Sequence, residues 1–64
     1  MASFYYENLT KTRQFKVEAK GSRFAIMEYR KGEKPKPMAM YATRAEAEKE
    51  LTLFAYDGFR RVIE

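Results

Sequence analysis

No cysteine and no histidine occur anywhere in the 64 residues. Without thiols the chain can form no disulfide staple, and without thiols or imidazoles it lacks the ligands that zinc sites favour. The same absences empty the usual catalytic inventory. Ser3 and Ser22 have no histidine to activate them, and no thiol is present to attack a substrate. The three glycines, Gly21, Gly32 and Gly58, stand singly, so there is no glycine loop to cradle a phosphate. No apolar run approaches the roughly 18 residues that a membrane span needs. The opening residues Met1 to Tyr6 lack the basic segment and apolar core of a secretion signal. The expectation is therefore a single small domain over residues 1–64, cytoplasmic, without cofactor, bound metal, membrane contact or enzymatic activity.

Charge, by contrast, is plentiful and uneven. Thirteen Lys and Arg stand against nine Asp and Glu, a net charge of +4. Residues 1–44 carry ten basic and four acidic side chains, whereas residues 45–64 carry three basic and five acidic ones. A field of one sign on part of a small protein bears on what it binds rather than on how it folds.

The elements read in sequence as strands followed by one helix. Residues 3–7 have strand composition and are expected as an edge strand or a loose arm, with a turn over residues 8–12. Residues 14–20 alternate cleanly, with Phe15, Val17 and Ala19 facing one way and Lys16, Glu18 and Lys20 the other. Gly21 supplies a hairpin turn, and residues 22–30 return with apolar groups on both faces. Pairing Phe15 and Val17 beside Phe24 and Ile26 leaves Met27 and Tyr29 outside. The opposite register would reverse that assignment. Residues 30–37 hold both prolines and are expected as irregular loop. Residues 38–42 read as a further strand.

The helix is expected over residues 42–58. Thr43 is its N-cap, with Glu46 completing a capping box, and Gly58 is its left-handed terminator, with Phe59 touching Phe54. Ala47, Leu51, Phe54 and Ala55 form its apolar stripe. Glu46, Glu48 and Glu50 suit a helix start, where anions are stabilised, better than they suit acid–base chemistry. Residues 59–63 alternate enough for a last strand. The fold expected is α+β: an antiparallel sheet of three to five strands, with one helix from the C-terminal half on one face, in two layers and the order β(β)ββ-α-β.

Function is sought on the sheet face away from the helix. That face is expected to present Lys16, Lys20, Arg23 and Tyr29 together with Tyr41, extended by Lys31, Lys34 and Lys36 of the proline loop. Lysine and arginine neutralise phosphates and tyrosine stacks on bases, so the partner expected is nucleic acid, DNA ahead of RNA. The alternative is a protein partner with an acidic surface, held on this face or by Leu53, Tyr56, Arg60 and Arg61. Both a monomer and a homodimer stay open, because an exposed terminal strand could pair with a second copy.

A hairpin, a third strand and a helix that opens Thr43-Arg44-Ala45-Glu46-Ala47 resemble the AP2-like, arm-type DNA-binding modules of phage and transposon integrases. The likeness covers residues 14–57 and implies a sheet that lies in the major groove with the helix behind it. By type, a basic chain without cysteine or histidine also resembles small phage proteins that inhibit host enzymes or CRISPR-like defence complexes. That likeness would place it in the host-cell cytoplasm.

Overall fold

Residues 3–64 are described by the computed structural model, Tyr56 by its backbone alone. The elements are β1 (Phe4–Glu7), β2 (Arg13–Lys20), β3 (Arg23–Arg30), β4 (Lys36–Tyr41), α1 (Arg44–Leu51) and β5 (Arg60–Ile63). They build one five-stranded sheet in the order β4-β3-β2-β1-β5, every neighbouring pair antiparallel, with α1 on one face. This is the α+β architecture expected. Residues 3–7 are no loose arm: β1 lies inside the sheet between β2 and β5. None of the described helices is long and apolar enough to cross a membrane.

The central hairpin follows from alternation. Val17 pairs with Ile26, Ala19 with Phe24 and Lys20 with Arg23. A two-residue turn joins the strands, and Gly21 takes φ +62 at its first position, a conformation that costs glycine little. On the helix face Tyr6, Phe15, Ile26 and Leu51 are buried together, with Phe4, Val17, Tyr41, Phe54 and Phe59 packed around them. Phe54 stacks on Phe15 at 4.1 Å, and Phe59 meets Phe15 edge-on at 5.2 Å. Burying a side chain such as Phe15 or Leu51 contributes roughly 1.5–3 kcal/mol, so these few rings and the one leucine dominate the stability of so small a core.

The helix segment ends at Thr43 and Gly58 as the sequence writes them, but Glu46 meets the Thr43 hydroxyl rather than its N–H, so the capping box is only half made, and the second half of the segment is tighter. Thr43 accepts the Glu46 N–H at 3.2 Å and donates its hydroxyl to the Glu46 carboxylate, also at 3.2 Å. Gly58 closes the segment at φ +86, and Phe59 meets the Phe54 ring at 6.3 Å. Between them Thr52–Asp57 is a 3-10 helix. Three residues per turn keep Leu51 and Phe54 on the sheet but carry Ala55 off the stripe, and Ala55 is exposed.

β4 departs most from expectation. It begins at Lys36, so Lys36 and Pro37 are strand rather than loop. An edge strand tolerates a proline because its outer N–H positions need no partner. Ile26 pairs with Ala39 and Met27 with Pro37, which leaves Met38 as an extra, bulged residue. Tyr41 consequently pairs with Phe24 on the helix face and packs against the core. The expectation that Tyr41 joins the outer face is corrected.

Candidate nucleic-acid interface

Alternation along β2 and β3 runs past the apolar core into charge. Below Phe15 and Ile26 the helix-side positions are Arg13, Glu28 and Arg30, and β4 adds Lys36 opposite Glu28. Glu28 is only 2% exposed, so its carboxylate needs partners to remain charged. Its Oε2 accepts from Arg13 Nη2 at 2.6 Å, Arg13 Nε at 3.0 Å and Arg30 Nε at 3.1 Å. Lys36 Nζ stands 3.8 Å from Oε1. Burial pushes the Glu28 carboxyl up, but the hydrogen bonds and charges of Arg13 and Arg30 outweigh it and hold the group below the usual glutamate range. The Arg13 guanidinium also lies over the Phe15 and Phe59 rings, at 5.2 and 5.6 Å, which joins this polar cluster to the core.

The turn over residues 8–12 is built by Asn8. Its Oδ1 accepts from the Thr12 and Arg13 N–H groups at 2.9 and 3.1 Å, and its Nδ2 donates to Thr12 Oγ1 at 2.9 Å. The Lys11 N–H returns to the Asn8 carbonyl at 3.1 Å, with Lys11 at φ +60. The Lys31 N–H then donates to the Thr12 carbonyl at 2.9 Å, which ties this turn to the start of the β3–β4 loop.

These ties bring two basic segments to one end of the sheet. Residues 7–13 and 28–36 hold Lys11, Arg13, Arg30, Lys31, Lys34 and Lys36 against Glu7, Glu28 and Glu33. That excess of three is most of the chain's net charge of +4. A groove of about 270 Å3 there is lined by Lys11, Thr12, Gln14, Tyr29, Arg30 and Lys31. A second, of about 360 Å3, shares Thr12, Arg30 and Lys31 and adds Arg13 and Glu33.

The chain matches no known protein family, no curated protein and no solved structure. The candidate interface is therefore described by its own geometry alone.

The structure divides the residues expected to act together. Lys16 is on the outer face, but Glu64 holds it at 3.4 Å and its ammonium lies 5.4 Å from the centre of the Tyr5 ring. Lys20 and Arg23 sit opposite each other beside Gly21, at the far end of the hairpin from the two basic segments. Tyr29, Lys31 and Lys34 do belong to the basic end, Tyr29 half-buried in the first groove. Lys36 turns to the helix side and to Glu28 rather than extending the outer face. Among the alternative contacts, Leu53 is exposed and lines an apolar groove with Ile26, Met38, Tyr41 and Phe54. Arg60 faces outward opposite Glu7, while Arg61 lies on the other face over the Phe4 ring, at 5.3 Å. The side chain of Tyr56 lies outside the described residues.

Arg30, the first residue of the basic loop, completes the end with Lys11, Arg13 and Glu28, and composition alone does not flag the last three. One signal was available. Continuing the inward alternation Phe24, Ile26 by two residues reaches Glu28, and continuing Val17, Phe15 reaches Arg13, so a buried charge facing an arginine is implied by period two. The left-handed backbone of Lys11 has no such signal.

Proposed function

We propose that the chain is a non-enzymatic module that binds the nucleic-acid backbone at this basic end. The reading rests on one observation: the turn over residues 8–12 and the Lys-Pro loop, far apart in sequence, are tied side by side with an excess of three positive charges. Contacts of this kind supply affinity with little sequence information. The contact centres on Lys11, Arg30, Lys31 and Lys34, with Lys20 and Arg23 of the outer face too distant to share it.

Neutralising about three phosphates gives log K a slope against log salt of about −2 for a single strand and about −3 for a duplex. Fluorescence anisotropy across a salt series measures it directly. Reversing Lys31 and Lys34 to glutamate together should abolish binding, while reversing Lys20 and Arg23 should leave most of it. Absence of binding at low salt, or equal loss from both pairs, refutes the assignment and moves the search to a protein partner.

A further inference from the structure

We infer that the first groove takes one unpaired nucleotide of a single strand, its base against Tyr29 and its flanking phosphates on Lys11, Arg30 and Lys31. The inference rests on the backbone-binding reading above and deepens it. The wall of this groove combines three cations with one aromatic ring and the polar side chains of Thr12 and Gln14. An extruded nucleotide needs that mixture: charge for its phosphates, a ring for its base and hydrogen-bonding groups for the base edge. A duplex instead asks for a protruding element, a helix or a two-stranded ribbon, to enter its major groove. Here the surface at the basic end is concave, and the only α-helix among the described residues packs on the opposite face of the sheet from Tyr29.

The groove is also held ready. Gln14 donates from Nε2 to Glu7 Oε2 at 2.8 Å, which fixes its amide beside Tyr29, its cross-strand neighbour. Arg30 is oriented by Glu28, and the two walls are joined by the Lys31–Thr12 hydrogen bond. Lys11 adds an independent indication. It is the only non-glycine residue with positive φ among those described, at a turn position where glycine or asparagine sits with less strain. A cation kept in a conformation that disfavours it points to a use for the cation. The neighbouring groove contains Glu33, whose charge repels phosphate, so the phosphates are assigned to the first groove.

The test compares a fluorescein-labelled ten-residue thymidine strand with a duplex of mixed sequence, both at low salt, using the parent chain, Tyr29→Ala and Tyr29→Phe. The strand should bind at least tenfold tighter than the duplex. Tyr29→Ala should weaken strand binding roughly 5- to 100-fold, the range that loss of one stacked base produces, with duplex binding and the salt slope unchanged. Tyr29→Phe should retain the affinity. Equal affinity for strand and duplex with no effect of Tyr29→Ala would overturn the nucleotide groove and leave the backbone reading standing. Equal losses of strand and duplex binding in a Tyr29→Ala chain that keeps the parent's circular dichroism and Tm would also overturn it, because a ring that stacks only on an unpaired base has no reason to weaken both. Tyr29→Phe, which keeps the ring, carries the same comparison should Tyr29→Ala unfold. Failure of the parent to bind either ligand would remove both readings.

Discussion

Replacing Glu28 by glutamine tests the polar cluster beneath the core. Three N–H groups converge on Oε2, two from Arg13 and one from Arg30. All three bonds join two ions in the parent and an ion to an amide in the variant, so each drops from the upper to the lower part of the about 1.5–3 kcal/mol range for bonds to charged groups, and the amide forfeits roughly 3 kcal/mol of attraction in all. Opposing this, the variant no longer has a carboxylate to desolvate. The arginine side chains are 37% and 42% exposed and can turn to water, so no cation is stranded in the interior. The net loss should be about 2 kcal/mol, and for a domain of this size each kcal/mol lowers Tm by about 4–8 °C. Thermal unfolding followed by circular dichroism at pH 7 should therefore place Glu28→Gln about 8–16 °C below the parent. Because the Glu28 carboxyl is lowered on folding, its contribution is fully present above the unfolded value of about 4.3 and is lost as pH falls through the folded value. The gap between parent and variant should close on that acid side and nowhere else. A variant within about 0.5 kcal/mol of the parent at pH 7, the scatter of ordinary surface substitutions, would refute this reasoning. So would a gap that stays constant into acid.

Two further substitutions separate folding from binding. Lys11→Gly relieves a left-handed backbone that costs a non-glycine residue about 1–2 kcal/mol, partly offset by the freer unfolded chain. Stability in urea should rise by roughly 0.5 kcal/mol, while the salt slope for nucleic acid falls by about one. A loss of stability would contradict the conformational account of this turn. Phe15→Ala removes the ring against which Phe54 and Phe59 pack and should cost about 3–5 kcal/mol, enough to leave the chain largely unfolded at room temperature by circular dichroism. A cooperative transition at the parent's Tm would show that the aromatic cluster is not the core.

Much of this fold was legible in the residues. Phe15, Val17 and Ala19 declare the face of β2, and Gly21 marks the hairpin turn, while the register that sets Val17 opposite Ile26 is seen only in the structure. Thr43 and Gly58 mark both ends of the segment that crosses the sheet. Legibility failed where both faces of a strand are apolar. Met38, Met40, Ala39 and Tyr41 alternate without saying which pair points inward, and the bulge at Met38 removes the usual count. The place of β1 was also hidden, because pairing with β5 is a contact between distant residues that no local pattern encodes. For the site, the Lys-Pro loop was visible as charge. Its joining to the Lys11 turn depends on hydrogen bonds accepted by the Asn8 side chain, which shapes the turn, and by the Thr12 backbone carbonyl, which takes the Lys31 N–H; neither partner is stated by the local sequence. The outer-face residues Lys20 and Arg23 have the right charge but sit at the wrong end of the sheet, a distance that sequence spacing cannot convey.

The position of β5 implies an order of assembly. Residues 8–59 separate it from β1, its one partner in the sheet, whereas two residues separate β2 from β3. Closing the longer loop in an otherwise unfolded chain costs about 3 kcal/mol more entropy than closing the shorter. Once α1 has docked through Leu51, only residues 52–59 remain to be ordered before β5 can pair. The hairpin is then the natural nucleus and β5 the last strand to settle. Run backwards, the same sequence makes β5 the part that opens most readily. Amide hydrogens of Arg60 to Ile63 should exchange ahead of those in β2 and β3, so the edge beside Phe4 is the place where this domain breathes.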